Sequence, residues 1–399
     1  MQDMKEQWDF DTELLNQGAY INGDTSTPET QPVYMTTAFN VPDLDALYKR
    51  YANRDFCYNR NRNPNRRALA ELVSYVEKGE ESVICSSGMA AISTAVLAMA
   101  DQHAKIVSSD TLYGETLEVF DDILKLYGVE TDYVDFTDLD AVRQAVSDET
   151  TIVYTETVSN PMISVADIEQ IAQIAHSHKA LLIVDNTFVT AVGYRPLEHG
   201  ADLTVNSLTK FANGHSDAVC GSVTGRSELI KKIYHFQILL GTTADPATCW
   251  MVQRGMRTMS LRVERQMENA EKLAAFLEQS PYVKKVIHPS LKDHPQHELA
   301  VKMFGSPDRC TGMLSIYLDE DIDRLQEFMR RLELVHYAMT LGGFRTTIAH
   351  PVSSSHYDMP KAEREKIGIT DGLLRISVGI ENIDDLKKDF ARALEVYAG

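Results

Sequence analysis

The chain has 399 residues, more than one simple core usually holds, so two or more domains are expected. Its composition, 44% apolar and 24% charged, is that of an ordinary globular protein, and a formal net charge of -19 disfavours non-specific binding to nucleic acid or to an anionic membrane surface. No apolar run approaches the ~20 residues that span a bilayer, the polar N-terminus has no signal-peptide core, and the five scattered cysteines include no CxxC pair, so a cytoplasmic protein with reduced thiols, no zinc site and no bound metal is expected.

Residues 1–62 are polar, turn-rich and without clear periodicity, and read as an arm that lies on something else. From residue 63 onward, apolar runs alternate with helical patterns. Val83–Cys85, Lys105–Val107, Thr151–Tyr154, Leu181–Val184 and Leu203–Val205 read as short buried strands, and Met89–Ala100, Leu117–Leu126 and Val165–His178 as the helices between them. Such alternation predicts a mostly parallel sheet covered on both faces, spanning 63–256. Near Arg257 the pattern changes. Val263, Met267, Ala270, Ala274 and Leu277 follow the 3.6-residue spacing of a long helix, and a smaller α+β domain over 257–399 is expected. It holds a strand at Gly312–Leu318, a helix at Ile322–Leu332, a strand at Leu373–Val378 and a last helix capped by Asn382 and striped by Leu386, Phe390, Leu394 and Tyr397.

Several residues carry chemistry. Lys210 follows an apolar strand and has Ser207 and Thr209 beside it, an amine placed with hydroxyls that can bind a phosphate at a strand end, where α/β sheets put ligands. A lone lysine is a solvated surface group in most proteins; the company of these residues argues otherwise. Asp185 ends the run Ala180–Val184, where a carboxylate is costly unless paired; it reads as a turn or cap residue or as the partner of a protonated pyridine nitrogen. Ser87, Gly88 and Met89 join a strand to a helix start, which suits an anion. Tyr113 reads as a core tyrosine or as a ring that stacks on a cofactor and relays protons. Arg375 lies inside an apolar strand and suits capture of a carboxylate, with a structural ion pair as the alternative.

Together with Gln31–Tyr34, Tyr58-Asn59-Arg60, Asn63-Pro64, Leu112-Tyr113-Gly114, Glu156, Ser159-Asn160-Pro161, Val184–Phe188, Ser207–Asp217, Arg254-Gly255, Leu341-Gly342-Gly343 and Leu374–Gly379, these residues make the chain resemble the Cys/Met-metabolism family of pyridoxal-phosphate enzymes from about residue 10 to the C-terminus. The resemblance implies pyridoxal 5'-phosphate as cofactor. It implies an aspartate-aminotransferase-like (fold type I) α/β architecture, with an arm over 1–62, a cofactor domain over 63–256 and a C-terminal domain over 257–399. Lys210 then resembles the Schiff-base lysine and proton shuttle, and Asp185 the pyridinium partner. Gly88, Met89, Ser207 and Thr209 resemble the phosphate cradle. Tyr58 and Arg60 resemble a pair that reaches the phosphate of a neighbouring subunit, within a homotetramer built from catalytic dimers. Tyr113 resembles the stacking tyrosine that assists the leaving group. Asn160, Thr340 and Arg375 resemble the group that binds the α-carboxylate of an amino-acid substrate.

The departures from the family pattern bear on specificity. Glu115 stands where relatives often have a small residue or cysteine, Val158 and Phe211 replace a proline and a tyrosine, and Met339 occupies a position that is acidic in several cystathionine-handling relatives. An apolar Met339 is expected to favour an uncharged distal side chain over the second ammonium of cystathionine; the run Asn213–Asp217 resembles the lyase and synthase branch, whereas Arg345-Thr346-Thr347 resembles sulfhydrylases. The expected reaction is α,γ-elimination from methionine, homocysteine or cystathionine, releasing a thiol, ammonia and a 2-oxoacid, with γ-replacement on an O-acylhomoserine as the alternative. An aminotransferase and a cofactor-free binding protein on the same fold are the rivals from other classes.

Overall fold

The computed structural model describes residues 9–18, 28–306 and 309–398. The extreme N-terminus, where the absence of a signal-peptide core was read, and part of the arm lie outside them. Within the arm, the short helix Phe10–Asn16 sinks Leu14 into the main core, while the helix Leu44–Ala52 buries no residue on its own chain.

Seven strands form the larger sheet: β1 (Glu81–Cys85), β2 (Lys105–Ser109), β3 (Glu130–Val134), β4 (Thr150–Glu156), β5 (Leu181–Asp185), β6 (Leu203–Asn206) and β7 (Gly221–Gly225). Their order is β1-β7-β6-β5-β4-β2-β3. Only β7 runs antiparallel to its neighbours, so β1, β2, β4, β5 and β6 all end at one edge. The five strands read from the sequence are present, together with β3 and β7, which were not anticipated. The helices Gly88–Met99, Ile168–Ser177 and Ser227–Leu240 help to cover the two faces, which close over separate apolar clusters. The stretch expected as one helix over 117–126 changes its winding instead: an α-turn (Gly114–Glu118) passes into a π-turn (Val119–Ile123) and a 3-10 turn (Leu124–Tyr127).

The second sheet has the order β10-β11-β12-β9-β8, formed by β8 (Lys285–Ile287), β9 (Met313–Tyr317), β10 (His336–Tyr337), β11 (Thr347–Ala349) and β12 (Leu373–Ser377). The helices Met259–Glu278, Ile322–Arg331 and Ile383–Leu394 supply Leu273, Phe328 and Phe390 to its core. Asn382 caps the last helix as its sequence predicts, accepting from the Asp384 N–H at 2.9 Å.

The two sheets meet at the lysine loop. Arg262, buried on the helix Met259–Glu278, donates to the carbonyls of Phe211 (2.9 Å) and Ala212 (3.0 Å). Gly342 has φ +76°, and a Cβ there would stand 2.4 Å from the Phe211 nitrogen, so only glycine lets the small domain approach the Lys210–Phe211 peptide. Among the described residues no helix is long and apolar enough to cross a membrane.

Candidate active site

A cavity of about 350 Å³ opens where the strand ends of the large sheet face the second sheet. The C-terminal ends of β4, β5 and β6 bring Glu156, Asp185 and Ser207 to it, and the loops after β1 and β2 bring Gly88, Met89, Tyr113 and Glu115. β12 contributes Arg375 from the other side. Thr209, Lys210, Asn160 and Met339 also line it. Met339 is 69% exposed and sits at the rim. Thr340, grouped with Asn160 and Arg375 from the sequence, is not among the lining residues, although Met339 and Leu341 on either side of it are. Tyr58 and Arg60 do not line the cavity either; Tyr58 is largely exposed, and Arg60 donates to the Ile238 carbonyl at 2.6 Å.

Lys210 and Asp185 both have their charge disfavoured by the site. Burial first, and then the nearby Arg375, lower the Lys210 ammonium to about 8, with Glu115 opposing the shift. Burial raises the Asp185 carboxyl to about 6, against hydrogen bonds from Thr187. The Thr187 N–H donates to it at 2.9 Å, and the Thr187 hydroxyl oxygen accepts from the Ser207 N–H at 2.8 Å, so one residue ties the end of β5 to the loop after β6. Among the described residues Asp185 has no ion-pair partner.

On the substrate side, the Arg375 guanidinium, buried and lowered by that burial to about 10, donates to Asn160 Oδ1 at 2.8 Å. Burial, and then the nearby Glu115 carboxylate, push the Tyr113 phenol well above its ordinary value. Sequence reasoning missed Glu156 and Thr187 as organisers of the site. Both stand in motifs that resemble the family, but the bonds they accept from Tyr113 and Ser207 link segments that only the fold places side by side, while Asn160 lies four residues after Glu156.

The arrangement fits pyridoxal phosphate. A reactive amine at Lys210 faces the cavity, and a half-buried carboxyl at Asp185, without an ion-pair partner among the described residues, can receive a cationic ring nitrogen. A phosphate would fit against the first residues of the helix Gly88–Met99, where Ser87 caps the Ala90 N–H and the Gly88 and Met89 N–H groups have no intrahelical partner. A Cβ on Gly88 would lie 2.8 Å from the Ser207 Cβ, so glycine keeps this helix start open to a close approach.

A fold-type I architecture with a lysine-bearing cavity of this kind defines a pyridoxal-phosphate enzyme. The chain matches the model of the Cys/Met metabolism PLP-dependent enzyme family over residues 11–395, and it belongs to that family. It is 39% identical over 381 residues to a cystathionine beta-lyase of Lactococcus lactis subsp. cremoris, an alignment covering 94% of this chain and 97% of the relative. It is 36% identical over 372 residues to an L-methionine gamma-lyase of Fusobacterium nucleatum subsp. polymorphum, covering 91% and 93%. The crystal structure of cystathionine gamma-lyase from Lactobacillus plantarum, complexed with L-serine, superposes with a TM-score of 0.91 at 32% identity, covering 98% and 99% of the two chains. The cofactor is therefore pyridoxal 5'-phosphate, and the chemistry belongs to sulfur amino-acid metabolism.

Proposed function

We propose that this chain cleaves a carbon–sulfur bond of a sulfur amino acid, with α,γ-elimination as the reaction and a thiol, ammonia and a 2-oxoacid as products. Bound pyridoxal phosphate supplies an electron sink for negative charge at the substrate Cα. Asp185 holds the ring nitrogen in its cationic form. Arg375, steadied by Asn160, takes the α-carboxylate and fixes which Cα–H faces the lysine. Lys210 Nζ, with its proton affinity lowered, takes that proton, hands it back to the bound substrate–cofactor system, and is then neutral again and able to take one from Cβ. The Tyr113 hydroxyl gives its proton to the departing sulfur.

The observation that carries the reading is Tyr113. Its phenol stays protonated across the neutral range and lies in the same cavity as Lys210. A thiolate, whose conjugate acid has a pKa of about 8.5, gains from a proton as it leaves, whereas an acyl carboxylate with a pKa of about 4 does not. This supports carbon–sulfur cleavage over γ-replacement on an acylated homoserine. The replacement reading rested on Arg345-Thr346-Thr347, but neither threonine lines the cavity: Thr346 binds the Glu381 carboxylate instead.

The test is to supply methionine, homocysteine, cystathionine and O-acetylhomoserine separately, with and without sulfide, and to measure oxoacid, ammonia and thiol. From cystathionine, γ-cleavage yields 2-oxobutanoate with cysteine, and β-cleavage, the reaction named for the Lactococcus relative, yields pyruvate with homocysteine. Turnover of the acyl ester alone would overturn the lyase reading. We further propose that the arm over 1–62 carries Tyr58 and Arg60 to the phosphate site of a neighbouring subunit, and that catalytic dimers pair into a homotetramer in the cytoplasm.

A further inference from the structure

We propose a second ligand site, outside the catalytic cavity, that takes a free α-amino acid as a zwitterion. A cavity of about 530 Å³, larger than the catalytic one, is lined by the helix Pro64–Glu77, by β1 and by the helix Ser227–Leu240. The two cavities share no lining residue. Four arginines, one lysine and three glutamates line the larger one. In a chain of net charge -19 this is a local excess of cations, and the mixture of signs suits a ligand that carries both charges better than it suits a dianion. Lys210 is not among the lining residues, so an amino acid bound there escapes the cofactor and is held unchanged.

Two neighbouring groups on its wall are left incomplete by the chain itself. The Arg62 guanidinium stands over the Tyr234 ring, 5.2 Å from its centroid, and among the described residues it has no hydrogen-bond acceptor and no ion-pair partner. The Oδ1 of the adjacent Asn61 is buried and lacks a donor. A fork of N–H donors without an acceptor matches a carboxylate, and an amide oxygen without a donor matches an ammonium. An α-amino acid carries those two groups on one carbon, as Arg62 and Asn61 stand side by side on one loop. Other charges of the wall are already engaged: Glu81 faces Arg54 at 3.6 Å, and Glu80 accepts from the Ser227 N–H at 2.8 Å. The loop is also braced without a ligand. The Tyr234 hydroxyl donates to the Asn61 carbonyl at 2.9 Å, and the buried Arg66 donates to the carbonyls of Ala244 at 2.7 Å and Arg60 at 3.3 Å. Such preorganisation lowers the entropy cost of binding.

Borohydride-reduced, fully assembled holoenzyme isolates this cavity, because the cofactor is then fixed to Lys210 and takes up no substrate amine. The probes are L-alanine, L-methionine and L-glutamate, each set against its amine-free analogue (propanoate, 4-(methylsulfanyl)butanoate and glutarate), with inorganic phosphate as a further arm. Calorimetry reads the binding. At least one amino acid should bind, one molecule per chain, about 10- to 100-fold tighter than its amine-free analogue, the range of one charge-assisted hydrogen bond. Arg62→Ala should weaken the amino acid and its analogue alike, again by about 10- to 100-fold. Asn61→Ala should erase the preference for the amine while leaving the analogue within about twofold of its wild-type affinity, and it keeps the test open should the arginine variant fold poorly. Arg375→Gln, which alters the catalytic cavity, should leave this binding unchanged. Reduced holoenzyme that binds none of the three amino acids, that binds the amine-free acids or phosphate equally well, or whose binding survives Arg62→Ala and is lost in Arg375→Gln, overturns the assignment.

Discussion

The Glu156 carboxyl accepts a hydrogen bond from the Tyr113 backbone N–H at 2.8 Å, and its second oxygen accepts one from the Asn160 N–H at 3.0 Å. A single side chain at the end of β4 therefore places both the tyrosine proposed to act on the leaving group and the asparagine that steadies Arg375. Glu156→Gln keeps one acceptor and turns an NH₂ toward the other N–H; Glu156→Ala leaves both N–H groups unpaired. With a cost of about 1–3 kcal/mol for each unsatisfied group, kcat/KM should fall about 10-fold in the first variant and 100-fold or more in the second. Steady-state kinetics measure this, with the cofactor absorption confirming that the site is still loaded. Wild-type kcat/KM in Glu156→Ala would remove Glu156 from its positioning role.

Lys210 is the amine that faces the cavity, so borohydride reduction of the holoenzyme should leave a pyridoxyl group on the peptide containing Lys210 and on no other. Lys210→Ala should lose the visible absorption band and at least three orders of magnitude in turnover, roughly the loss that follows removal of a catalytic nucleophile or base. Peptide mapping by mass spectrometry decides the matter: an adduct elsewhere, or none, would refute the site as drawn.

The buried strands were legible because β5 is a continuous apolar run and β4 and β6 are rich in β-branched and apolar residues, the pattern of strands covered on both faces. Lys210 and Asp185 stood out because each follows or ends such a run. β3 was not legible: its sequence, Glu130-Thr131-Asp132-Tyr133-Val134, is that of a partly exposed edge strand. Nor was β7, whose small residues Gly221-Ser222-Val223-Thr224-Gly225 are buried only because β1 and β6 flank them. Two stretches read as signals of specificity are braces of the loops that hold them. Asn213 donates to Asp217 within the lysine loop, and Thr346 clasps Glu381. Residue pattern shows which groups are unusual but not where they point. Glu115 was legible as a departure, and only the fold turns it into the cavity.

Lys210 also gives a pH dependence. Its folded value is lowered to about 8, chiefly by burial and then by Arg375, so its neutral, nucleophilic form gains as pH rises through that value, about two units below an ordinary lysine. In the apoenzyme, acetic anhydride labelling of Lys210 should reach half its maximum near pH 8, while surface lysines lag toward ~10.4. The signs of two perturbations follow. Arg375→Gln removes a neighbouring positive charge, so the ammonium is less disfavoured and the midpoint moves up. Glu115→Gln removes the charge that opposes the shift, so the midpoint moves down. Quantitative mass spectrometry of the labelled peptide reads all three, and a midpoint that tracks the surface lysines would contradict the burial argument.

Tyr58 and Arg60 stand together, the guanidinium 5.8 Å from the ring centroid, yet neither lines the cavity of its own chain. If the pair serves a neighbouring subunit, Arg60→Ala and Lys210→Ala homo-oligomers should each be nearly inactive, the first through weak cofactor retention and the second through loss of the base. Mixing the two after gentle dissociation should restore activity, because each hybrid dimer contains one site with an intact lysine from one chain and an intact arginine from the other. Random pairing makes half the dimers hybrid, each with one working site of two, so recovery should reach about one quarter of the wild-type rate. Pyridoxal phosphate retained after gel filtration should rise in parallel in the mixed sample. Hybrids that stay inactive, or an Arg60→Ala enzyme that holds its cofactor as wild type does, would place the phosphate contact within a single chain.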